Sequence, residues 1–223
     1  MTYLYIVPKW FFGFGIGMEF LFAIATLIVA LYSFAIYRLS LQRESKWFGI
    51  GFLMIAISYF IKAILNSFLL NEIKEGLRGI ALEELNMIGL IGAYSHIILF
   101  TIGLVTLAYT TFKFPSWRLY ILLIVTSLLT ITISYNKVLA FHLVSGLFLL
   151  FISVYYINEY VKNKNSKTAL VMLSFVLLFL SGLDIDSINF YSAFVISHFI
   201  EFGAYLLIMI SLFLTIRKRP LKR

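Results

Sequence analysis

Three histidines, His96, His142 and His198, and the carboxylate Glu201 lie within otherwise apolar runs of this chain. Imidazole and carboxylate are ligands for zinc and copper. Two imidazoles at matched height, here His96 and His198, are what the iron of a b-type haem takes from opposite sides. A zinc-bound water would in turn be a nucleophile. Glu19, Lys62 and Asn66 share the same apolar surroundings; Ser95 and Ser197 each directly precede a histidine, and Asp184 and Asp186 end a run. A charged side chain in hydrocarbon costs several kcal/mol, so such residues are functional candidates by default.

The elements that must position these groups are apolar helices. Of the 223 residues, 62% are hydrophobic and only 13% are charged, well outside the balance of a soluble domain. No soluble fold of this size hides that much apolar surface, and the excess is expected to face lipid. A helix needs about 20 apolar residues to cross the hydrocarbon layer. The expected spans are residues 13–37, 47–70, 87–112, 118–134, 138–160, 168–183 and 190–216, forming one all-α, seven-helix membrane domain over 1–223. The fourth and sixth are short, and the fourth carries Thr126, Ser127, Thr130, Thr132 and Ser134. The sixth is expected to extend towards Asp184 and Asp186. The first run is read as a retained helix, because it is too long for a signal-peptide core and Glu19 interrupts it. The absence of cysteine excludes disulfides, thiolate metal sites and cysteine nucleophiles.

Lysine and arginine set the expected orientation. Arg38, Arg43, Lys46, Lys113, Arg118, Lys162, Lys164, Lys167, Arg217, Lys218, Arg219, Lys222 and Arg223 fall on one side; Lys9, Lys74, Arg78 and Lys137 fall on the other. The first side is the expected cytoplasm, which places the N-terminus outside, the C-terminus inside and the chain in the cell membrane. The net charge of +8 is therefore a topology signal and not a nucleic-acid footprint. The basic run 217–223 fixes orientation, and contact with anionic lipid heads is a second reading of it. Trp10, Trp47 and Trp117 fall at span boundaries, as interfacial anchors do. Residues 71–86 read either as an interfacial helix or as an extension of the third span, with Leu77, Ile80, Ala81, Leu85 and Ile88 at helical spacing. Gly51, Gly103, Gly146 and Gly203 are either weak points in their helices or close helix–helix contacts.

On this topology the polar groups share one depth. Counted from the outer helix ends at about 1.5 Å per residue, Glu19 lies six residues in, His96 nine, His142 four, His198 eight and Glu201 eleven; Lys62 lies eight from its helix end and Asn66 four. The inner half has no charged side chain between its basic borders. His198 and Glu201 share a helix face, as do Lys62 and Asn66, and His142 and Ser145. These faces are expected to converge on a cavity in the outer half. Three uses remain open. The first is a metal or haem site of His96, His142, His198 and Glu201. The second is a pathway for a small solute or proton, although nothing charged lines the inner half. The third is a structural polar network in a partner subunit, with Lys62 paired to Glu19 or Glu201. No catalytic residue is assigned, and an enzyme is not the expected class.

Ser95-His96-Ile97-Ile98-Leu99-Phe100 echoes Ser197-His198-Phe199-Ile200-Glu201-Phe202, and Tyr37 with Ser45-Lys46 echoes Tyr160 with Ser166-Lys167. A three-helix unit duplicated in parallel around a fourth linking helix is the expectation, one arrangement of transporter repeats. This 3+1+3 layout resembles the sugar-transporting SWEET family and, more loosely, the microbial rhodopsins, although a Pro-Gln motif and a seventh-helix lysine are absent. Tyr37-Arg38, Gly51-Phe52-Leu53, His96 and Gly103 together resemble small archaeal-type multi-pass membrane proteins, a resemblance that implies the architecture and no activity. A last-helix histidine also resembles the seven-helix hydrolases that include alkaline ceramidases, but the fourth residue after His198 is Phe202 where that family has a second histidine.

Overall fold

The computed structural model describes residues 9–74, 82–113, 116–182 and 191–217, with side chains from residues 13–71, 87–113, 116–182 and 195–217. It is an all-α bundle of α1 (Lys9–Ser40), α2 (Arg43–Lys74), α3 (Leu82–Thr111), α4 (Trp117–Ile133), α5 (Lys137–Asn163), α6 (Ser166–Gly182) and α7 (Tyr191–Arg217). None of these helices contains proline, so none loses a backbone bond in its interior. Asn136 caps α5, its side chain accepting from the Leu139 backbone N–H at 3.1 Å. Leu85 and Ile88 belong to the first turns of α3; Leu77, Ile80 and Ala81 lie outside the described residues, as do Asp184, Asp186 and the tail beyond Arg217.

Five helices are long and apolar enough to cross a membrane: α1, α2, α3, α5 and α7. The 17-residue helices α4 and α6 rise about 26 Å each at 1.5 Å per residue. The outward side chains suit lipid: Ile121, Leu122, Val125, Leu129 and Ile133 on α4 are all largely exposed. Three α4 threonines need no partner on another helix: Thr126, Thr130 and Thr132 donate to the carbonyls of Leu122, Thr126 and Leu128, one turn back.

The packing closes a ring. α1 packs on α2 and α7, α2 on α3, α3 on α5, α5 on α6, and α6 on α7; the α4 backbone lies outside this ring, against α3 and α5. Half a turn around this six-helix ring carries α1 to α5, α2 to α6 and α3 to α7. Two turns repeat the relation in atomic detail. Leu41 and Lys164, 123 residues apart, both hold a left-handed backbone (φ 54° and 45°). Each donates its N–H, at 2.7 Å, to the carbonyl of a tyrosine four residues earlier, Tyr37 or Tyr160. The next helix starts two residues on in both cases, at Arg43 and Ser166. A left-handed residue is a common helix end, and Lys113 after α3 has one too (φ 52°); what the turns after α1 and α5 share besides is the tyrosine acceptor and the two-residue step to the next helix. The same 123-residue step relates Val29 to Ile152 and Phe52 to Phe175, all fully buried.

Gly51 and Gly103 are close-packing contacts. A Cβ on Gly103 would stand 2.8 Å from the Gly51 carbonyl oxygen and 2.7 Å from the Ile55 side chain, so α2 and α3 approach through bare backbone. A Cβ on Gly146 or Gly203 would meet nothing within 4 Å. At the end of the bundle opposite the start of α1, Trp47, Tyr109, Trp117 and Tyr120 stack in one aromatic cluster, with Trp117 and Tyr120 centroids 4.7 Å apart. This cluster fastens α4 to α2 and α3, and the Tyr120 hydroxyl adds a 3.0 Å bond to Thr106.

Candidate functional site

A cavity of about 460 Å³ lies inside the ring, lined by α1, α2, α3, α5, α6 and α7 and by no residue of α4. It runs from near the end where α1 starts, at Gly15, Val138 and Gly182, down to Phe52, Leu107 and Phe175. Along α2, the 14 residues from Asn66 to Phe52 make a depth of about 21 Å. The polar lining clusters in the upper part, and the lower part is aliphatic and aromatic.

Most of the polar groups singled out in the sequence line this cavity: Glu19, Lys62, Asn66, His96, His142, Ser197, His198 and Glu201. Ser95 does not; its hydroxyl turns back to the Ile91 carbonyl at 2.7 Å. Asp184 and Asp186 lie outside the described residues.

The two carboxylates have different settings. Glu19 is buried and takes the Lys62 ammonium at 3.2 Å. The Asn66 amide donates to both of its oxygens, at 3.0 and 2.9 Å. Lys62 and Asn66 sit four residues apart on one face of α2 and therefore grip the same α1 carboxylate. Glu201, half-buried on α7, accepts from the Tyr59 hydroxyl of α2 and from Tyr205, one turn along its own helix, at 3.3 Å. The two tyrosine hydroxyls are also 3.3 Å apart. Phe22 completes this wall, edge-on to Tyr59 at 5.3 Å and to Tyr205 at 6.0 Å.

The histidines sit among aromatic rings, and His96 and His142 both pack on Phe141. His96 is buried and packs on Tyr59 at 5.1 Å and Phe100 at 5.3 Å. Its Nδ1 is sealed from the cavity and has no hydrogen-bond partner among the described residues. His198 packs on Phe22 at 5.8 Å, and His142 on its neighbour Phe141. The path from His96 to His198 thus runs through the rings of Tyr59 and Phe22. Among the described residues no group of three or more His, Asp or Glu is placed to hold a metal ion.

No protein-family model, no curated protein and no solved structure matches this chain. The geometry of the site is thus the basis for any functional reading.

Part of the lining also recurs at fixed steps along the chain. Positions 15, 19 and 22 of α1 line the cavity, and so do 138, 142 and 145 of α5, 123 residues on; 52, 55 and 59 of α2 are matched by 175, 178 and 182 of α6. For the third pair the matched lining positions are 101 residues apart: His96 with Ser197, Ile97 with His198, Phe100 with Glu201 and Leu104 with Tyr205. That register is one residue from the Ser-His echo in the sequence, so the two histidines do not occupy equivalent places. Tyr59, Tyr205 and Phe22 escaped the sequence reading because aromatics are common here. The available signal was spacing: Tyr59, Lys62 and Asn66 form one helical stripe, and Tyr205 follows Glu201 by four.

Proposed function

We propose that this protein is a small-solute carrier of the cell membrane and that its binding site is the cavity at the seam between α1–α3 and α5–α7. The observation that carries this reading is the matched lining of the two halves. Carriers built from repeats hold their substrates at the repeat interface, and access alternates as one repeat rocks against the other. The six-helix ring closed through α1–α7 and α3–α5 supplies two such seams. The apolar lower end then forms the closed gate of a state loaded from above. The donor geometry favours this reading over a metal or haem centre, since the rings of Tyr59 and Phe22 link His96 to His198 and, among the described residues, no set of three metal donors is assembled.

In this reading α4 and α6 also cross the bilayer, giving seven spans, with the N-terminus outside and the basic C-terminal end in the cytoplasm by the positive-inside rule. Reporters active only in the cytoplasm, fused after Arg223 and inserted within residues 75–81, test the orientation; a silent C-terminal fusion would overturn it. Solute flux into proteoliposomes tests the carrier. Concentration-dependent uptake that saturates is expected. A purified protein that carries stoichiometric haem or metal and supports no flux would overturn the carrier reading.

A further inference from the structure

Among the described residues the formal charges lining the cavity do not balance: its carboxylates are Glu19 and Glu201, and its lysine is Lys62. Lys62 is engaged by Glu19, whose remaining capacity goes to Asn66. Glu201 is held only by phenol hydroxyls, which are neutral donors, and among the described residues it has no ion pair. Lys62 is taken up by Glu19, so the Glu201 carboxyl has no lysine or arginine partner among the described residues. Around that carboxyl stand ring faces and edges of Tyr59, Tyr205 and Phe22, and below it the lining turns apolar at Leu104, Leu107 and Phe175.

A carboxylate beside aromatic rings in a low-dielectric site attracts a large, weakly hydrated cation, through charge and through the ring quadrupole. The lower end then needs an apolar body to fill it. An anion would meet no free positive charge. A divalent metal would find a single carboxylate and no third donor.

Resting on the reading of this cavity as a solute site, we infer that its substrate class is a monovalent hydrophobic organic cation, an amine or quaternary ammonium. The cationic head sits at Glu201 beside the Tyr59–Tyr205 pair, whose hydroxyls are in contact at 3.3 Å, and the apolar body points down towards Leu107.

The test uses the full chain in lipid nanodiscs and calorimetric titration with three probes of one shape: 3-phenylpropyl-trimethylammonium, 3-phenylpropanol and 3-phenylpropionate, each corrected for empty nanodiscs. The ammonium is expected to bind at least tenfold more tightly than the alcohol, and the carboxylate more weakly than both. Glu201→Gln is expected to bring the ammonium down to the level of the alcohol in the same variant. Equal binding of ammonium and alcohol by the wild-type protein would overturn the inference, whether or not the variant folds. So would a preference that persists in E201Q. Flux of the same permanent cation into proteoliposomes separates this from the carrier reading. Selective binding without flux sinks the carrier and keeps the ligand class; saturable flux of the alcohol or the acid with no ammonium preference does the reverse.

Discussion

The two halves of the ring match in helix order and in the turns after α1 and α5, and they differ in the side chains they place on the cavity. At matched lining positions the first half has Glu19, Phe22 and Tyr59, where the second has His142, Ser145 and Gly182. Between the paired helices the first half has Gly51 and Gly103 backbone to backbone; the corresponding places in the second are Ser174 and Ala204, both fully buried. Charge and aromatic bulk are therefore concentrated on the α1–α2 side, and small residues on the α5–α6 side. A close-packed interior has no voids to spare. The cavity exists because one half omits side chains that its counterpart supplies.

Glu19 is the largest asymmetry, and removing its partner should have the largest effect on stability. Lys62→Met leaves a buried carboxylate with only the Asn66 amide. Breaking a fully buried pair costs about 3–5 kcal/mol; the Lys62 side chain is 34% exposed, so a loss of about 2–3 kcal/mol is expected in thermal or denaturant unfolding in detergent. The double change E19L/K62M should recover most of it, since neither charge then remains. A single variant as stable as wild type would show that water already screens the pair.

The glycine contact comes next. Gly103→Ala pushes a Cβ to 2.8 Å from a backbone oxygen that cannot turn aside, and overpacking of this kind costs about 1–3 kcal/mol. Gly146→Ala, on the other half, meets open space and should be neutral or stabilising by up to about 1 kcal/mol, as helix propensity favours alanine. Equal effects of the two changes would mean that the α2–α3 approach is looser than these distances.

A smaller effect is expected from Tyr205→Phe, which removes one of the two hydroxyls on Glu201. One hydrogen bond contributes about 1 kcal/mol net, and rather more to a carboxylate. Tyr59→Phe should cost at least as much, because its hydroxyl meets both Glu201 and Tyr205. Unfolding midpoints of the two variants, alone and combined, measure whether the three groups act as one network.

Much of this architecture was legible in the chain. Apolar runs bounded by basic residues mark helix ends to within a few residues, because water-exposed charge and lipid-exposed carbon cannot exchange places. The convergence of Glu19, Lys62, Asn66, His142, His198 and Glu201 on one cavity followed from depth counting, since polar groups at one level have only each other to face. Pairing was not legible to the same degree. Depth alone left Lys62 to choose between Glu19 and Glu201; the choice depends on α1 packing beside α2, a tertiary contact. The Ser-His echo pointed to a register one residue off, because local identity between α3 and α7 says nothing of how each helix is rotated about its axis. The Tyr59–Glu201–Tyr205 group was hidden by composition: with 14 tyrosines in the chain, spacing separates two of them only once Glu201 is known to face inward.

The smallest expected change in stability carries the sharpest test of the comparison. Ser145 stands where the first half has Phe22 and lines the cavity. Its hydroxyl bonds only to the Phe141 carbonyl of its own helix, at 2.7 Å, so no other helix loses a partner when it goes. Ser145→Phe restores the bulk that the second half omits. If the cavity is the space left by that omission, the new ring enters it in an ordinary rotamer, and unfolding free energy rises by about 0.5–2 kcal/mol, as cavity filling commonly gives. Binding of any solute to the cavity should fall at least tenfold in the same variant, with helicity by circular dichroism unchanged. Gly182→Leu is the partner experiment, because a Cβ there meets only a Leu149 methyl at 3.8 Å, and it should act in the same direction. If Ser145→Phe instead destabilises by more than about 2 kcal/mol, the ring has no space to enter. The second half would then be closed around its small residues, and the asymmetry would reflect packing between α5 and α6, with the cavity owing its shape to the first half alone.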